Sequence, residues 1–400
     1  MVCYEKEKDV DEKKQGRIMK IGVITIEQVN NYGAELQATA TIKVLQGMGY
    51  DAEIIDYCYY KNWNFKDTQM SAPFVSMSAK GRLMYRVKYR LVNWFVSEVL
   101  PRFFPTIRRR ILRFDDFHKI NTKMSKRYLS MPDLYQAKMD YDVYVVGSDQ
   151  VWNPSASSSI EPYFLTFAPK EAKKISYASS FGVSNIPDSL YEKYKELLSN
   201  IDCLSVREQA GVCLVKTLTG RDAACVLDPT LLLNKEQWGN IMLAYPHMPS
   251  RYILVYQLLP SETLPPLAMR IGEEMKCPVY YLAKRAYAVN APKGMKVIKD
   301  AGPAEFLWLI KNASCVVTNS FHGTAFSVNF GTPFYAVLNS KRGSNARITS
   351  LLNSVNLMDR IVYEGNKLPL FSFFDADYVQ KHIEMLRKDS ISFLEKALEK

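Results

Sequence analysis

The sequence predicts an α/β protein with two domains, each built on a parallel sheet and facing the other across a cleft. Three observations support this prediction. Short apolar runs alternate with helical patterns in both halves of the chain. The chain has 400 residues, which suits two domains of about 150–200 residues better than a single core. A stretch with two prolines and weak patterning, residues 231–251, separates the two sets of elements.

The first half begins with a strand–helix–strand unit. Residues 20–26 form an apolar run typical of a strand buried in a parallel sheet, and a turn signal follows at residues 29–33. A helix is expected over residues 34–48 with Gly49 as its stop, and a strand over residues 52–56. The remaining strands of this half are predicted at residues 141–146, 175–178, 203–206 and 223–227, and helices at residues 190–198 and 209–217.

The second half repeats the alternation. Strands are predicted at residues 252–257, 279–282, 296–298, 314–318 and 334–338. The clearest helices are predicted at residues 304–311 and 321–330, with a long amphipathic helix over residues 378–400. These patterns predict a charged tail at residues 1–18, an N-terminal domain over residues 19–235 and a C-terminal domain over residues 245–400.

Composition excludes several classes of protein. The hydrophobic fraction of 48% excludes a disordered chain, and no apolar run approaches the roughly 18 residues of a transmembrane helix. The charged N-terminal residues lack the apolar centre of a secretory signal. The seven cysteines are scattered without metal-site spacing, so we expect reduced thiols in a cytoplasmic protein and no metal site.

The positive charge is concentrated in one segment. Residues 80–127 carry 14 Lys and Arg against three acidic residues, which accounts for the whole net charge of +11. Aromatic residues are interleaved with the basic ones, a pattern suited to an anionic membrane surface. The predicted membrane patch consists of Trp94, Phe95, Arg102, Arg108, Arg109 and Arg110. A helical insertion at about residues 60–130 with a solvated basic face is the alternative, and nucleic-acid binding is disfavoured because no recognised motif accompanies the charge.

The carboxyl ends of the predicted strands indicate where a cleft site would lie. Ser320 is a natural N-cap for the helix at residues 321–330, and the N-terminus of a helix favours an anion. We therefore expect His322 to lie at an anion site. Residues 341–347 form a donor-rich loop with Lys341, Arg342 and Arg347, although a solvated surface loop would have the same composition.

Two further segments carry candidate site residues. Ser205 and Glu208 have the spacing of a capping box, which leaves Arg207 as a candidate anion ligand near a strand end. Residues 147–153 combine a glycine turn, polar side chains and Trp152, a set suited either to a sugar or to a tight structural turn capped by Asp149. An acidic pair at Asp140 and Asp142 precedes its strand, so we do not expect it to hold a metal ion. The nucleotide-binding glycine motifs and the hydrolase nucleophile elbow are absent from the sequence.

Taken in order, these segments resemble the polysaccharide pyruvyl transferase family. The matching motifs are Asn31-Tyr-Gly, residues 142–153, Ser205-Val-Arg-Glu, Asp228-Pro-Thr-Leu-Leu, Ser320-Phe-His-Gly and Lys341-Arg-Gly-Ser-Asn. The resemblance runs from about residue 20 to residue 352. It does not include the basic insertion or the C-terminal helix.

The resemblance implies a fold similar to GT-B glycosyltransferases, with two Rossmann-like domains. It also implies transfer of a pyruvyl group from phosphoenolpyruvate to a sugar as a cyclic ketal, in surface glycan synthesis and without a cofactor. We expect the acceptor to be a hexose, such as galactose, of a lipid-linked precursor, and the protein to be peripheral at the inner face of the membrane. Under this hypothesis Arg207 and His322 handle the donor, with His322 as general acid and Asp149 as candidate base. The other donor ligands would be Ser320, Phe321, Gly323, Lys341, Arg342 and Arg347, and the acceptor ligands Asn31, Tyr32, Gly33, Ser148, Gln150 and Trp152.

Two alternatives remain open from the sequence. A glycosyltransferase with a nucleotide-sugar donor would use the same helix terminus for its diphosphate. A non-catalytic scaffold at the membrane surface would need the basic segment but neither His322 nor Arg207. The sequence does not determine the acceptor sugar, the ketal stereochemistry or the oligomeric state.

Overall fold

Two parallel sheets organise the chain in the computed structural model, which describes residues 17–58, 62, 64–65, 78–154, 160–287, 291–340 and 345–399. The first sheet has the order β2-β1-β3-β4. Backbone contacts attach a further parallel pair, β5-β6, to the edge at β4, since the Ser176 amide donates to the Cys203 carbonyl at 2.9 Å. The strands are β1 Lys20–Ile24, β2 Asp51–Ile54, β3 Val143–Val146, β4 Lys173–Ser176, β5 Ser205–Val206 and β6 Ala224–Cys225.

The second sheet has six parallel strands in the order β12-β11-β10-β7-β8-β9. Counted from its own first strand, this is the 3-2-1-4-5-6 order of the Rossmann fold. The strands are β7 Ile253–Tyr256, β8 Val279–Leu282, β9 Lys296–Ile298, β10 Cys315–Thr318, β11 Phe334–Leu338 and β12 Ile361–Tyr363. The predicted class, two Rossmann-like α/β domains of the GT-B type, is confirmed by these two sheets.

Helices connect the strands and cover both sheets. In the first half they are α1 Tyr32–Gly47, α2 Ala79–Val87, α3 Leu100–Phe103, α4 Pro105–Asn121, α5 Met131–Tyr135, α6 Tyr191–Ser199 and α7 Gln209–Thr219. Two π-helical turns, Lys88–Val92 and Phe95–Val99, lie between α2 and α3. In the remaining chain they are α8 Pro229–Leu232, α9 Lys235–Gly239, α10 Leu264–Met275, α11 Pro303–Lys311, α12 Phe321–Phe330, α13 Ala346–Ser354 and α14 Ala376–Leu398. Short 3₁₀ turns occur at Glu161–Phe164, Asp188–Leu190 and Met358–Arg360.

Most predicted elements are confirmed, because parallel strands buried on both faces produce continuous apolar runs. Strands β8, β9 and β11 and helix α12 have the predicted bounds. The capping box at Ser205 is wrong: Ser205 lies in β5, where its hydroxyl donates to the Ser176 carbonyl at 2.7 Å. Glu208 instead accepts hydrogen bonds from the Ser180 hydroxyl and the Phe181 amide. Strand β12 was not predicted, since its three residues form no recognisable run.

The basic segment joins the two halves instead of standing apart from them. Its helix α4 packs between α1 and α11, and Tyr32 stacks on Phe306 of α11 with ring centroids 4.5 Å apart. The C-terminal helix α14 returns to the first half, where Ser390 accepts a hydrogen bond from the Leu227 amide at 3.0 Å. These contacts position the carboxyl ends of the two sheets on either side of one cavity. The predicted tail, residues 1–18, lies almost wholly outside the described residues.

Candidate functional site

A cavity of about 1110 Å³ lies between the two sheets and receives residues from both. Segments that follow β1, β3 and β10 line it, as does the start of α13, so it lies where the strand-end rule predicts a ligand. Four residues in the segments that follow β1, β3 and β4 have left-handed backbone conformations although none is glycine: Gln28, Asn30, Asp149 and Ala178, with φ of 52°, 50°, 76° and 53°. Such strain is uncommon and concentrates at functional sites.

The N-terminus of α12 forms one wall of the site. Ser320 caps the helix by accepting a hydrogen bond from the Gly323 amide at 3.2 Å, as predicted from the sequence. Gly323 has no space for a side chain, because an added Cβ would lie 2.6 Å from Oγ1 of Thr318. The cap orients the first turn and presents Phe321 and His322 towards the cavity.

His322 packs against the first turn of α1 from the other half of the chain. An added Cβ on Gly33 would lie 2.0 Å from Nδ1 of His322, so the close approach of imidazole to backbone requires glycine at this position. Burial, with the positive charges of Arg207 and Arg347 nearby, lowers the pKa of His322 in spite of Asp228 and Asp149. The imidazole is therefore neutral at pH 7 in the protein without ligand.

Arg207 and Asp228 form a buried ion pair beside His322. Nη1 of Arg207 lies 2.5 Å from Oδ2 of Asp228, and Nη2 lies 3.6 Å from Oδ1 of Asp149. The Ser148 hydroxyl donates to the same Oδ2 of Asp228 at 2.9 Å, and the Thr230 hydroxyl donates to Oδ1 at 2.7 Å. Burial would raise the pKa of Asp228, but the charge of Arg207, that of His322 once it is protonated in acid, and the hydrogen bond from Thr230 outweigh it and lower that pKa to about 2. Asp228 is thus a permanent anion that orients Arg207.

Arg347, at the start of α13, is the second cation of the site. The guanidinium carbons of Arg207 and Arg347 lie 4.5 Å and 5.8 Å from the centre of the Phe321 ring. Burial and repulsion from Arg207 lower the pKa of Arg347 to about 10, which leaves it charged at pH 7. Two like charges therefore converge around one aromatic ring.

Several buried nitrogen atoms of this cluster have no hydrogen-bond partner among the described residues. They are Nε and Nη2 of Arg207, Nε of Arg347 and Nε2 of His322. An unsatisfied buried polar group costs roughly 1–3 kcal/mol of stability, and more when it is charged. Four such nitrogen atoms close together therefore require an explanation. An anion whose oxygen atoms accept hydrogen bonds would satisfy these nitrogen atoms together. We call the side chains of Arg207, Arg347 and His322 the donor cluster, because they offer hydrogen-bond donors.

Some predicted site residues have other surroundings. The surroundings of Trp152 do not support the prediction that it holds a sugar. The side chain is fully buried, its ring stacks on Phe164 with centroids 5.1 Å apart, and its indole N–H donates to the Tyr163 carbonyl. Ser148 is also fully buried and braces the Arg207–Asp228 pair. Tyr32 is 1% exposed and its hydroxyl donates to the Ala301 carbonyl. Asn31 and Gln150 do line the cavity. The predicted ligands Lys341 and Arg342 lie outside the described residues.

The predicted membrane patch divides into two parts. Arg110 is 5% exposed and donates to the Tyr32 hydroxyl at 2.7 Å and to main-chain carbonyls between residues 283 and 301, so its assignment to an exposed patch is wrong. Arg109 pairs with Asp300 at 2.7 Å. Arg109 nevertheless remains exposed, as do Trp94, Phe95, Arg102 and Arg108. The helical period of α4 turns one arginine inwards, which composition alone could not indicate.

Three residues of the cavity region were not singled out from the sequence as functional. Asp228 stands in a recognised motif but received no role. Glu35 and His118, which lie 3.1 Å apart, have no local motif, and only the packing of α4 on α1 brings them together.

Within the described part of the chain, no group of three or more His, Cys, Asp or Glu residues is arranged to hold a metal ion. No helix in the same part is long and apolar enough to cross a membrane.

The chain belongs to the polysaccharide pyruvyl transferase family, since the model of that family matches residues 31–341. A search of the curated proteins gives no match.

Similar solved structures include UDP-N-acetylglucosamine 2-epimerase from Rickettsia bellii, at 8% identity over 93% of this chain and 88% of that one, with a TM-score of 0.43. They also include Methanocaldococcus jannaschii UDP-GlcNAc 2-epimerase in complex with UDP-GlcNAc and UDP, at 12% identity, 92% and 93% coverage and a TM-score of 0.42. A third is Arabidopsis thaliana UGT89C1 complexed with UDP-L-rhamnose, at 11% identity, 96% and 95% coverage and a TM-score of 0.45.

Proposed function

We propose that this transferase of the polysaccharide pyruvyl transferase family moves the pyruvyl group of phosphoenolpyruvate to a hexose, such as galactose, of a lipid-linked glycan precursor. The product is a cyclic ketal across two hydroxyls, and phosphate is released. The setting is the synthesis of a capsular or other cell-surface polysaccharide. The observation that carries the proposal is the donor cluster, in which four buried nitrogen atoms have no hydrogen-bond partner among the described residues.

The chemistry of phosphoenolpyruvate matches this cluster. Its carboxylate and phosphate both accept the paired N–H donors of a guanidinium, and Arg207 and Arg347 provide two such groups around Phe321. The N-terminus of α12 adds free amides and a partial positive charge for the phosphate. Lys341 and Arg342, from the donor-rich loop just before α13, remain predicted ligands of the same anion.

The charges around His322 suggest that it becomes an acid only when the donor is bound. In the free protein the charges of Arg207 and Arg347 are offset by Asp228 and Asp149, and the imidazole is neutral. A trianionic donor adds negative charge beside His322, which raises its pKa and favours proton uptake. The imidazolium would then be a general acid, in agreement with the role expected from the sequence.

The reaction requires balanced proton transfers. The enol methylene gains one proton as C2 forms a bond to the first hydroxyl oxygen; the bond from C2 to the phosphate oxygen then breaks, and the second hydroxyl attacks C2. Two protons leave the sugar hydroxyls, one being balanced by the new methyl hydrogen and one by the released hydrogen phosphate. His322 supplies the proton for the methylene, the arginines stabilise the departing phosphate, and Asp149 is a candidate base.

The test is a thermal-shift measurement with phosphoenolpyruvate, UDP and GDP. A ligand at 100 times its Kd adds about 2.7 kcal/mol of stability, which is visible as a higher Tm. We expect a shift with phosphoenolpyruvate that Arg207→Lys abolishes and that Arg221→Lys retains. Arg221 is a matched control because its guanidinium is satisfied by the Leu198 and Asp202 carbonyls. A shift with the nucleotides alone would favour the glycosyltransferase hypothesis and contradict ours.

We also propose that the protein is cytoplasmic and peripheral at the inner membrane face, where a lipid-linked acceptor would be presented. The segment from α2 to α3 exposes large apolar side chains, with Leu83, Met84, Leu91, Trp94, Phe95, Phe103 and Phe104 between 43% and 72% exposed. Exposed Arg102 and Arg108 lie in the same segment and in the adjoining α4. Apolar groups that can enter the interface, combined with cations that attract anionic headgroups, suit a lipid surface.

Vesicle sedimentation tests this localisation. The wild-type protein should bind vesicles that contain phosphatidylglycerol and should bind pure phosphatidylcholine vesicles weakly. The pair Arg102→Glu and Arg108→Glu should reduce binding to the anionic vesicles, while Lys381→Glu with Lys388→Glu on α14 should not. Equal binding of the two double variants would contradict the proposed docking surface.

A further inference from the structure

His118 lies on the cavity wall within a group of acidic residues that has no part in the donor cluster. Its side chain is 13% exposed. Nδ1 lies 3.1 Å from Oε2 of Glu35, and Nε2 lies 3.3 Å from Nε2 of Gln28 and 3.7 Å from Oε2 of Glu27. Gln28, Glu35 and His118 all line the cavity.

The contact with Glu35 determines which ring nitrogen can act as a base. An ionised carboxylate only accepts hydrogen bonds, so Nδ1 must donate its proton to Glu35. The lone pair then resides on Nε2, where it meets the amide of Gln28. A carboxylate behind an imidazole fixes the tautomer and stabilises the imidazolium that forms when the ring accepts a proton. A ligand hydroxyl that replaces the Gln28 amide would meet a base of this kind.

Glu27 gives independent evidence that polar groups near His118 lack a hydrogen-bond partner. Its side chain is 2% exposed, and Oε2 is buried without a hydrogen-bond partner in the part of the chain that the structure describes. Burial, with Glu35 and Asp56 nearby, raises the pKa of Glu27 well above its ordinary value. A raised pKa favours the uncharged form of Glu27, so Glu35 is the carboxylate that contacts His118 most closely.

Helix α1 relates this group to the donor cluster. Gly33 in its first turn contacts the ring of His322, and Glu35, two residues later, contacts the ring of His118. One helix terminus therefore positions both histidines at the same cavity. The donor cluster suits an anion, whereas His118 and Glu35, beside the amides of Gln28 and Asn30, suit the neutral hydroxyls of a sugar.

We propose that His118 is the base that accepts the proton of the attacking sugar hydroxyl, with Glu35 as the residue that positions it; the assignment rests on the proposed pyruvyl transfer. As the hydroxyl oxygen forms its bond to C2 of the donor, its proton moves to Nε2 of His118. The imidazolium returns this proton to the phosphate once the C2–O bond to phosphate has broken. No additional reactant is required, and Asp149 remains the candidate for the second hydroxyl.

The experiment compares His118→Gln with His382→Gln, which changes a histidine on α14 whose Nδ1 contacts its own helix at the Tyr378 carbonyl. Phosphate release from phosphoenolpyruvate is measured with a panel of free and lipid-linked hexose glycosides. We expect kcat of His118→Gln to fall by about 10²–10⁴-fold and that of His382→Gln to be unchanged. The Tm shift with phosphoenolpyruvate should persist in both variants, because the donor cluster is intact.

Two further variants separate catalysis from structure. His118→Ala should recover part of its kcat with added imidazole, which a structural role would not produce. Glu35→Gln should lower kcat with little change in the donor KM, and imidazole should not rescue it. Full turnover by His118→Gln would overturn the assignment while pyruvyl transfer stands. If the wild-type protein released phosphate with no glycoside, the proposed function would fail and the assignment of His118 with it.

Discussion

Arg110 differs from Arg207 and Arg347 in how its side-chain hydrogen-bond donors are satisfied. Arg110 on α4 donates to a tyrosine hydroxyl and to several main-chain carbonyls. These hydrogen bonds connect the two halves of the chain. Arg207 and Arg347 are surrounded by carboxylates and an aromatic ring, yet retain buried nitrogen atoms without partners among the described residues. Arg110 thus contributes to the packing of the two halves, whereas the unpaired nitrogen atoms of Arg207 and Arg347, which converge on one cavity, favour a ligand.

The strongest test of this difference is at Arg207. Arg207→Lys keeps the charge that Asp228 requires but removes the paired donors, so the fold should persist and donor recognition should not. We expect kcat/KM for phosphoenolpyruvate to fall by about 10²–10³-fold, the usual effect of losing one stabilising donor at the reacting group. Steady-state kinetics measures the loss, and an unaltered circular-dichroism melt is the control. A variant with wild-type kcat/KM would show that Arg207 is structural.

Arg110→Leu should have the opposite profile. It leaves several buried carbonyls without their donor and should lower the free energy of unfolding by about 3 kcal/mol. In a domain of this size each kcal/mol lowers Tm by about 2–4 °C, which differential scanning fluorimetry resolves. The Tm increment on adding phosphoenolpyruvate should be retained. Arg108→Leu, on the exposed side of the same helix, is the matched control and should melt like the wild type.

A pH experiment examines the unsatisfied His322. Its pKa is lowered in the free protein and should rise when the donor binds, so binding takes up a proton. Affinity for phosphoenolpyruvate should therefore increase as pH falls from 8 to 6, by up to about tenfold per unit. Calorimetry in two buffers of different ionisation enthalpy detects the uptake. His322→Asn should remove the buffer dependence; if the dependence persisted, the proton would be taken up elsewhere.

The smallest effect is expected at the ring between the two arginines. Phe321→Leu preserves an apolar contact but removes the aromatic face against which Arg207 packs at 4.5 Å. Such cation–π contacts contribute about 1 kcal/mol, so the Kd for phosphoenolpyruvate should rise roughly fivefold. Isothermal titration of the variant measures this change. No change in Kd would mean that Phe321 only fills space between the guanidinium groups.

The sequence predicted the fold well because its signals are local. The apolar runs of β8 and β11 and the Ser320 cap of α12 each depend on residues within a few positions of one another. The ordered motifs also indicated the family, which the family match confirms. Where local signals are weak or ambiguous the sequence misleads: no strand is predicted at β12, and the capping box predicted at Ser205 is wrong.

Tertiary structure alone decided which side chains are satisfied. Arg108 and Arg110 are indistinguishable in sequence, yet Arg110 meets carbonyls from residues more than 170 positions away, whereas Arg108 is exposed. The sequence suggests Trp152 as a surface for a sugar ring, but in the structure Phe164 stacks on it. The sequence gives no role to His118, which contacts Glu35 only because α4 packs on α1. Strand and cap preferences arise from neighbouring residues and can be read along the chain. Burial and hydrogen-bond partners arise from packing between distant segments, so the chemistry of this cavity became visible only in the folded protein.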